Sequence, residues 1–431
     1  MGAASKRRYE RKLAGHRLTV GPEDSVAART SSTTGLRRRL QPRYIFALGG
    51  GALVVVSIAW ASAARHKDVV PAAEVGQGRR PPLTASTSVR PSADDPNIVA
   101  RRVAPQSRPV TVEARSRETE LLSRDPSELP AVKLASDLLA LPEDHINILD
   151  AALRISRELW PQTDVPAAKQ EIEKIADRIA WWVRAKGGTT DPDQRIRIIN
   201  TVLYHEFGYR YDLADRLATT IESQVLGATI ATHKGTCATL PLLYYVVGER
   251  MGYPIRAAMA PQHMFLRYED GTYRSNIEAG GSQGGEITDE QFIREIGIPP
   301  EGIRSGAYMR SLTKRELLAN LLAGMGSVLR EHGRWREAEP IYEMALAVDD
   351  RIDEAHFGLA FIEAEHSNVY GKGARGTQND DWKKAMMHAR RVMELGAPPP
   401  LTDHYWDQKP PTNPRPFDLV SYLQKQKGVH P

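Results

Sequence analysis

The sequence predicts an α+β protein: a mostly helical core carrying one small antiparallel sheet, then α-helical hairpins, with a single apolar span near the N-terminus. Three observations carry this expectation. Apolar residues recur at helical spacing over most of the chain beyond residue 130. Two short runs that alternate polar and apolar residues flank an Asp-Gly pair near residue 270. Tyr44 to Ala64 runs 21 residues without a charge, which at ~1.5 Å per residue crosses the ~30 Å hydrocarbon core as a helix.

The net charge of +5 over 431 residues is unevenly placed. Up to Arg43 there are eleven Lys/Arg against three acids, a balance of +8, and the rest of the chain has 47 basic and 50 acidic residues. The folded part therefore has no basic excess with which to hold nucleic acid. Residues 1–43 read as a basic cytoplasmic tail and 44–64 as a transmembrane helix, because the positive-inside rule leaves the Arg-rich side in the cytoplasm. Everything beyond Arg65 is then expected outside the cytoplasm, in a bacterial periplasm-like compartment. Ala61-Ser62-Ala63 resembles a signal-peptidase site, but the long basic segment before it favours an uncleaved anchor. Residues 65–127, rich in Pro, Ser and Arg, read as a disordered linker.

The core is expected over 128–310. Ile146, Leu149, Leu153 and Ile155 share a helix that stops before Pro161. Ile172, Ile175, Ile179 and Val183 repeat as one buried stripe on a second helix, ending at Gly187-Gly188. A third helix covers about Asp193 to Phe207, and Trp181 and Trp182 are packing residues.

Cys237 is the single cysteine, so an intramolecular disulfide is excluded. It sits just before the apolar run Leu242 to Val247, which places it in the first turn of a buried helix, with Pro241 tolerated early. Unpaired N–H groups and partial positive charge at a helix start favour thiolate. The same groups can steady an oxyanion. A β-prone run, Ile255 to Ala260, leads to His263. The segments 263–268 and 273–278 alternate around Glu269-Asp270-Gly271-Thr272, a hairpin signal. With Asp270-Gly271 as the loop, residue 269 pairs with 272 and His263 lies directly opposite Glu278. His263, Arg267, Arg274, Asn276 and Glu278 then share a polar face. Met264, Leu266, Tyr268, Tyr273 and Ile277 form the apolar one. A helix-start cysteine, a strand histidine and a carboxylate beside it are what nucleophilic catalysis needs, with Asn276 an alternative third residue.

These residues resemble the transglutaminase-like superfamily, with papain-like Cys–His–Asp chemistry. More closely they resemble bacterial transglutaminase-like cores followed by tetratricopeptide repeats, the family of Sir-type regulator B1 proteins. The matching parts are Ala151 to Pro161, Ile199 to Gly208, Lys234 to Tyr244, Glu249 to Pro254, Pro261 to His263 and Asn276 to Glu278. The resemblance implies Cys237 as nucleophile and His263 as general base. It puts Glu278 in the third position, where Asp is usual.

Residues 311–397 have the small/large spacing of 34-residue helical repeats: Leu317, Leu321, Leu322, Gly326, Gly333, Ala338, Tyr342, Ala345 and Ala355, with Trp382, Ala385, Ala389 and Met393 beyond a polar loop. Two repeats are too few to stand alone, so they are expected to dock on the core and offer a surface to a protein partner. Residues 398–431 read as a Pro-rich, polar tail, extended or loosely packed. His233 and Cys237 lie four apart, but zinc needs three or four ligands, so no metal is expected, nor any cofactor. The expected protein is a membrane-anchored, extracytoplasmic thiol acyl-transfer enzyme, a hydrolase or transglutaminase acting on a protein or peptide. The alternative is a catalytically silent adaptor.

Overall fold

The computed structural model describes residues 45–49, 52–56, 125–215, 218–280, 285–370, 380–398 and 415–426. Helices α1 (Pro130–Leu139), α2 (Ile148–Leu159), α3 (Val165–Ala185) and α4 (Pro192–Asn200) come first; α2–α4 follow the expected order, and α1 is a helix that the sequence reading did not assign separately. Their starts are set locally. Asn147, Asp164 and Asp191 accept from main-chain N–H groups of the first turns of α2, α3 and α4, and proline stands at the start of α3 and α4. Ile172, Ile175 and Ile179 of the expected stripe are wholly buried, at roughly 1.5–3 kcal/mol of burial each. The third helix has the expected extent but not a uniform form. After Asn200 it widens into a π-helical turn over Thr201–Glu206, marked by Phe207 N–H donating to Val202 O at 2.9 Å.

Strand β3 (Arg210–Tyr211) pairs in parallel with β4 (Lys234–Gly235), enclosing the short helices α5 (Ile221–Gln224) and α6 (Leu226–Thr232). Helix α7 (Thr239–Arg250) follows, and every residue from Thr239 to Gly248 is buried. It reads as an apolar run without helical periodicity because it is covered all round. Strands β5 (Ile255–Ala260), β6 (His263–Glu269), β7 (Arg274–Glu278) and β8 (Gly285–Ile287) form one antiparallel sheet in that order.

The hairpin register differs from the expected one by two residues: Glu269 pairs with Arg274 and Arg267 with Asn276. The turn chemistry explains the shift. Gly271 has φ 85°, whereas Thr272 is not in the left-handed region. The glycine therefore takes the first loop position and the loop is Gly271-Thr272 rather than Asp270-Gly271. Asp270 N–H donates to Tyr273 O at 3.2 Å. Asp270 Oδ1 accepts from the N–H groups of Thr272 and Tyr273. A slip of two preserves the faces, so the polar and apolar sets stand as expected, but Glu278 is a diagonal neighbour of His263, not its direct partner.

Two short helices, α8 (Asp289–Phe292) and α9 (Pro300–Arg304), lead to four long ones: α10 (Lys314–Glu331), α11 (Trp335–Val348), α12 (Asp353–Tyr370) and α13 (Asp380–Glu394). Tyr342 explains the small/large pattern. Its buried ring lies between Gly326 of α10 and Gly358 of α12, where added Cβ atoms would come within 2.8 and 2.2 Å of ring atoms. One cluster of buried apolar residues runs from Leu129 to Leu395, so α10–α12 share the hydrophobic core of α7 and the sheet. A second, smaller cluster joins α12 and α13 to α14 (Leu419–Gln426). Within the tail expected over 398–431, the described residues 415–426 contain α14, a helix that the sequence reading did not assign. Leu419 and Leu423 are four apart and buried, and Asp418 Oδ1 accepts from Ser421 N–H at 2.9 Å to start the turn.

Within the apolar span expected over 44–64, only two backbone stretches are described. β1 (Ile45–Gly49) pairs antiparallel with β2 (Ala52–Val56), in place of helix. The rest of the span, the basic tail and most of the linker lie outside the described residues. Among the described residues no helix is long and apolar enough to cross a membrane.

Candidate active site

Cys237 stands two residues ahead of α7, and Thr236 is what starts the turn. Thr236 O accepts from Leu240 N–H at 3.0 Å, and its Oγ1 accepts from Ala238 and Thr239 N–H at 3.3 and 3.4 Å. Thr239 Oγ1 in return accepts from Thr236 N–H at 2.9 Å. This reciprocal pair works as a capping box with threonine at both ends, and it shapes the turn that holds Cys237 just ahead of α7, whereas the sequence reading put Cys237 inside the first helical turn. The β3–β4 pair holds the approach to it: Asp212 N–H donates to Gly235 O at 2.9 Å.

His263 opens β6, paired with Ala260 across a tight turn in which Gln262 has φ 52°. Its Nε2 lies 2.7 Å from Glu278 Oε2 at the end of β7, and both side chains are buried. The other carboxylate oxygen, Oε1, accepts from Gly280 N–H at 2.7 Å. Gly280 in turn packs on Cys237. A Cβ there would sit 2.8 Å from Glu278 Oε1 and 3.3 Å from Cys237 Cα. One small cluster thus contains Cys237, Gly280, Glu278 and His263. Cys237 is 0% and His263 1% exposed, so the cluster is closed to solvent.

Asn276, the alternative third residue, is engaged elsewhere. Its Oδ1 accepts from Arg267 Nε and its Nδ2 donates to Asp289 Oδ1, each at 2.7 Å. Arg267 is 1% exposed and also donates to Asp289 Oδ1 at 2.9 Å and to Met309 O at 2.6 Å. Burial pulls its guanidinium below the ordinary arginine range, and Asp289 opposes that pull. A buried charge with all its arms bonded holds the polar face of the sheet to α8 and the Met309 turn. The same face carries Phe265 and His263 against Phe292, at centroid distances of 4.3 and 5.9 Å.

Two residues of the cluster carry no catalytic residue type and were missed in the sequence. Gly280 stands in Ala279-Gly280-Gly281, a glycine pair just beyond Glu278, and that was its only signal. Tyr204 lies inside the matching segment Ile199 to Gly208. Its buried hydroxyl donates to Ala279 O at 2.9 Å. Burial, with the charge of Glu278 adding to it, pushes that hydroxyl far above the usual tyrosine range and keeps it a donor. His233 does not reach toward Cys237. Its Nδ1 is 2.6 Å from Phe207 O and its ring stacks on Tyr209 at 4.4 Å. Among the described residues no group of three or more His, Cys, Asp or Glu could hold a metal ion.

Residues 166–323 match the family model of the transglutaminase-like superfamily. This match begins in α3, contains the whole cluster and ends in α10, so the chain carries a transglutaminase-like domain, of a superfamily in which cysteine-dependent enzymes occur. Among solved structures, a crystal structure of menin that describes its binding site for Mixed Lineage Leukemia (MLL) protein is similar over 68% of this chain and 88% of that chain. The identity is 11% and the TM-score 0.32, at which the likeness bears on neither fold nor function. No curated protein matches the chain.

Proposed function

We propose that the transglutaminase-like domain is a thiol acyl-transfer enzyme in which Cys237 is the nucleophile, His263 the general base and Glu278 the group that orients His263. The observation that carries this reading is the linked set of contacts. Glu278 bonds His263 Nε2 through one oxygen and Gly280 N–H through the other, and Gly280 lies against Cys237. Glu278 on Nε2 fixes the imidazole tautomer and stabilises the imidazolium, and Nδ1 then serves the thiol. The thiol gives its proton to His263 and sulfur attacks an amide carbonyl. A C–S bond forms, the C–N bond breaks, and His263 protonates the leaving amine. Water or a second amine then gives a proton to His263 and attacks the thioester. The C–S bond breaks and His263 returns the proton to sulfur. Water makes the enzyme a peptidase or amidase, and an amine makes it a transglutaminase. The substrate is a protein or peptide, and the helical hairpins, tetratricopeptide-like in spacing, offer a surface for a protein partner.

Burial of the thiol favours a second reading, a silent adaptor in which the cluster only packs. The rate of iodoacetamide labelling of Cys237 against pH, with His263→Ala alongside, separates the two. An enzyme gives fast labelling with an apparent pKa well below ~8.5, slowed by the substitution. Ordinary thiol behaviour in both proteins sinks the enzyme. We also propose that 44–64 anchors the chain, with the domain extracytoplasmic. In hydrocarbon a two-stranded hairpin leaves its outer N–H and C=O groups unpaired, whereas a helix satisfies them all. Release of the full chain from membranes by alkaline carbonate would overturn the anchor.

A further inference from the structure

The peptide unit between Ala279 and Gly280 is bonded on both sides. Its C=O accepts from Tyr204 Oη at 2.9 Å, and its N–H donates to Glu278 Oε1 at 2.7 Å. A planar trans peptide holds its C=O and N–H in fixed opposition. The hydroxyl that fixes one end therefore fixes the other. The bonds run in one direction from Tyr204 O–H through the peptide to Glu278 Oε1, and Glu278 Oε2 accepts from His263 Nε2–H at 2.7 Å. Dipoles aligned in this way strengthen one another where the dielectric is low. The π-helical turn over Thr201–Glu206 sets the backbone from which Tyr204 reaches this point.

We infer that Tyr204 is a positioning residue. Acting through the Ala279–Gly280 peptide unit, it sets the orientation of Glu278 and so of His263. The inference deepens the proposed function and rests on it for its chemical meaning, but the bonding relay can be read separately.

The test uses the full chain and Tyr204→Phe, which keeps the ring and removes one oxygen. Hydrogen exchange of the Gly280 amide reports the relay directly. The expected result is a protected Gly280 amide in the wild type and exchange about tenfold faster in Y204F, with other core amides unchanged. Labelling of Cys237 by iodoacetamide reports the consequence. Y204F should slow it about three- to tenfold at neutral pH, the range that one hydrogen bond supports, and should slow it no further in a Glu278→Gln background. The inference is overturned by an unprotected Gly280 amide in the wild type, which needs no variant. It is equally overturned by Y204F leaving that amide unchanged, or by Y204F acting equally in both backgrounds. If labelling ignores His263→Ala while the amide still responds to Y204F, the relay stands and the enzyme reading falls.

Discussion

Replacing Gly280 by alanine tests the packing of the cluster against its hydrogen bonding. Gly280 has no left-handed φ, so alanine is conformationally allowed there. By chain entropy alone the change would stabilise the protein by about 0.4–1 kcal/mol. Space decides the other way. The new methyl lies 2.8 Å from Glu278 Oε1 and 3.3 Å from Cys237 Cα. The main chain at Cys237 is held by the Thr236 cap and cannot give. Glu278 is not the loose end of a flexible side chain, because one oxygen is bonded to Gly280 N–H and the other to His263. The carboxylate must swing away, losing a charge-assisted bond worth roughly 1.5–3 kcal/mol. Overpacking of this kind costs about 1–3 kcal/mol. The net expectation is a loss of about 1.5–5.6 kcal/mol, after the entropic gain is set against the sum. Urea unfolding followed by circular dichroism measures it as a lowered midpoint at constant slope. Labelling of Cys237 should change in the same protein, since its α-carbon is the second atom struck. A midpoint equal to or above wild type, with labelling unaltered, would refute the reasoning that Glu278 is pinned against Cys237.

Two further outcomes follow from the helical hairpins. Gly358→Ala should destabilise by about 1–3 kcal/mol, although alanine ordinarily gains ~1 kcal/mol over glycine inside a helix. The Tyr342 ring, 2.2 Å from the new methyl, cannot retreat without meeting Gly326 on its other side, and a raised urea midpoint would contradict this. His388 lies with its Nδ1 2.8 Å from that of His356. Burial, then the neighbouring His356, then Lys384 hold its pKa down from 6.5 to about 4. Between these values the unfolded chain binds more protons, so His388's contribution is complete above about pH 6.5 and is lost as pH falls toward 4. A shift of this size is worth up to ~3 kcal/mol, which partial exposure of the ring cuts to roughly half. Glu331 and Asp353, raised by burial to about 7 and 6, act in the opposite sense and lose stability as pH rises. The measurement is therefore the difference between wild type and His388→Gln by urea unfolding across pH 4.5–7.5. It should widen in favour of wild type as pH rises to 6.5, and a constant difference would disprove the assignment.

Much of the molecule is written in interactions between near neighbours. The Ile172–Ile179 stripe, the aspartate and asparagine caps of α2–α4 and the turn before α7 depend on residues three or four apart, so periodicity and composition reveal them. The faces of the β6–β7 hairpin are similarly legible, since alternation survives any even slip. The site residues Cys237, His263 and Glu278 were legible as types in a pattern, not as contacts. The same local reading misplaced the hairpin register, because a single glycine φ decides which residue opens the loop. It also missed α14, whose two leucines gain meaning only where α12 and α13 offer them a surface.

The amino-acid sequence by itself determined the helices, the two faces of the sheet and a cysteine at a helix start, because these are set by short-range spacing and turn chemistry. Tertiary structure alone decided that Glu278 rather than Asn276 stands behind His263, that Gly280 closes on Cys237, and that Tyr204 holds the peptide between them. Those contacts join residues up to 75 positions apart. Such separations leave no periodic trace in a sequence, and only the shared core that packs α4, α7 and the sheet together brings the groups within bonding distance.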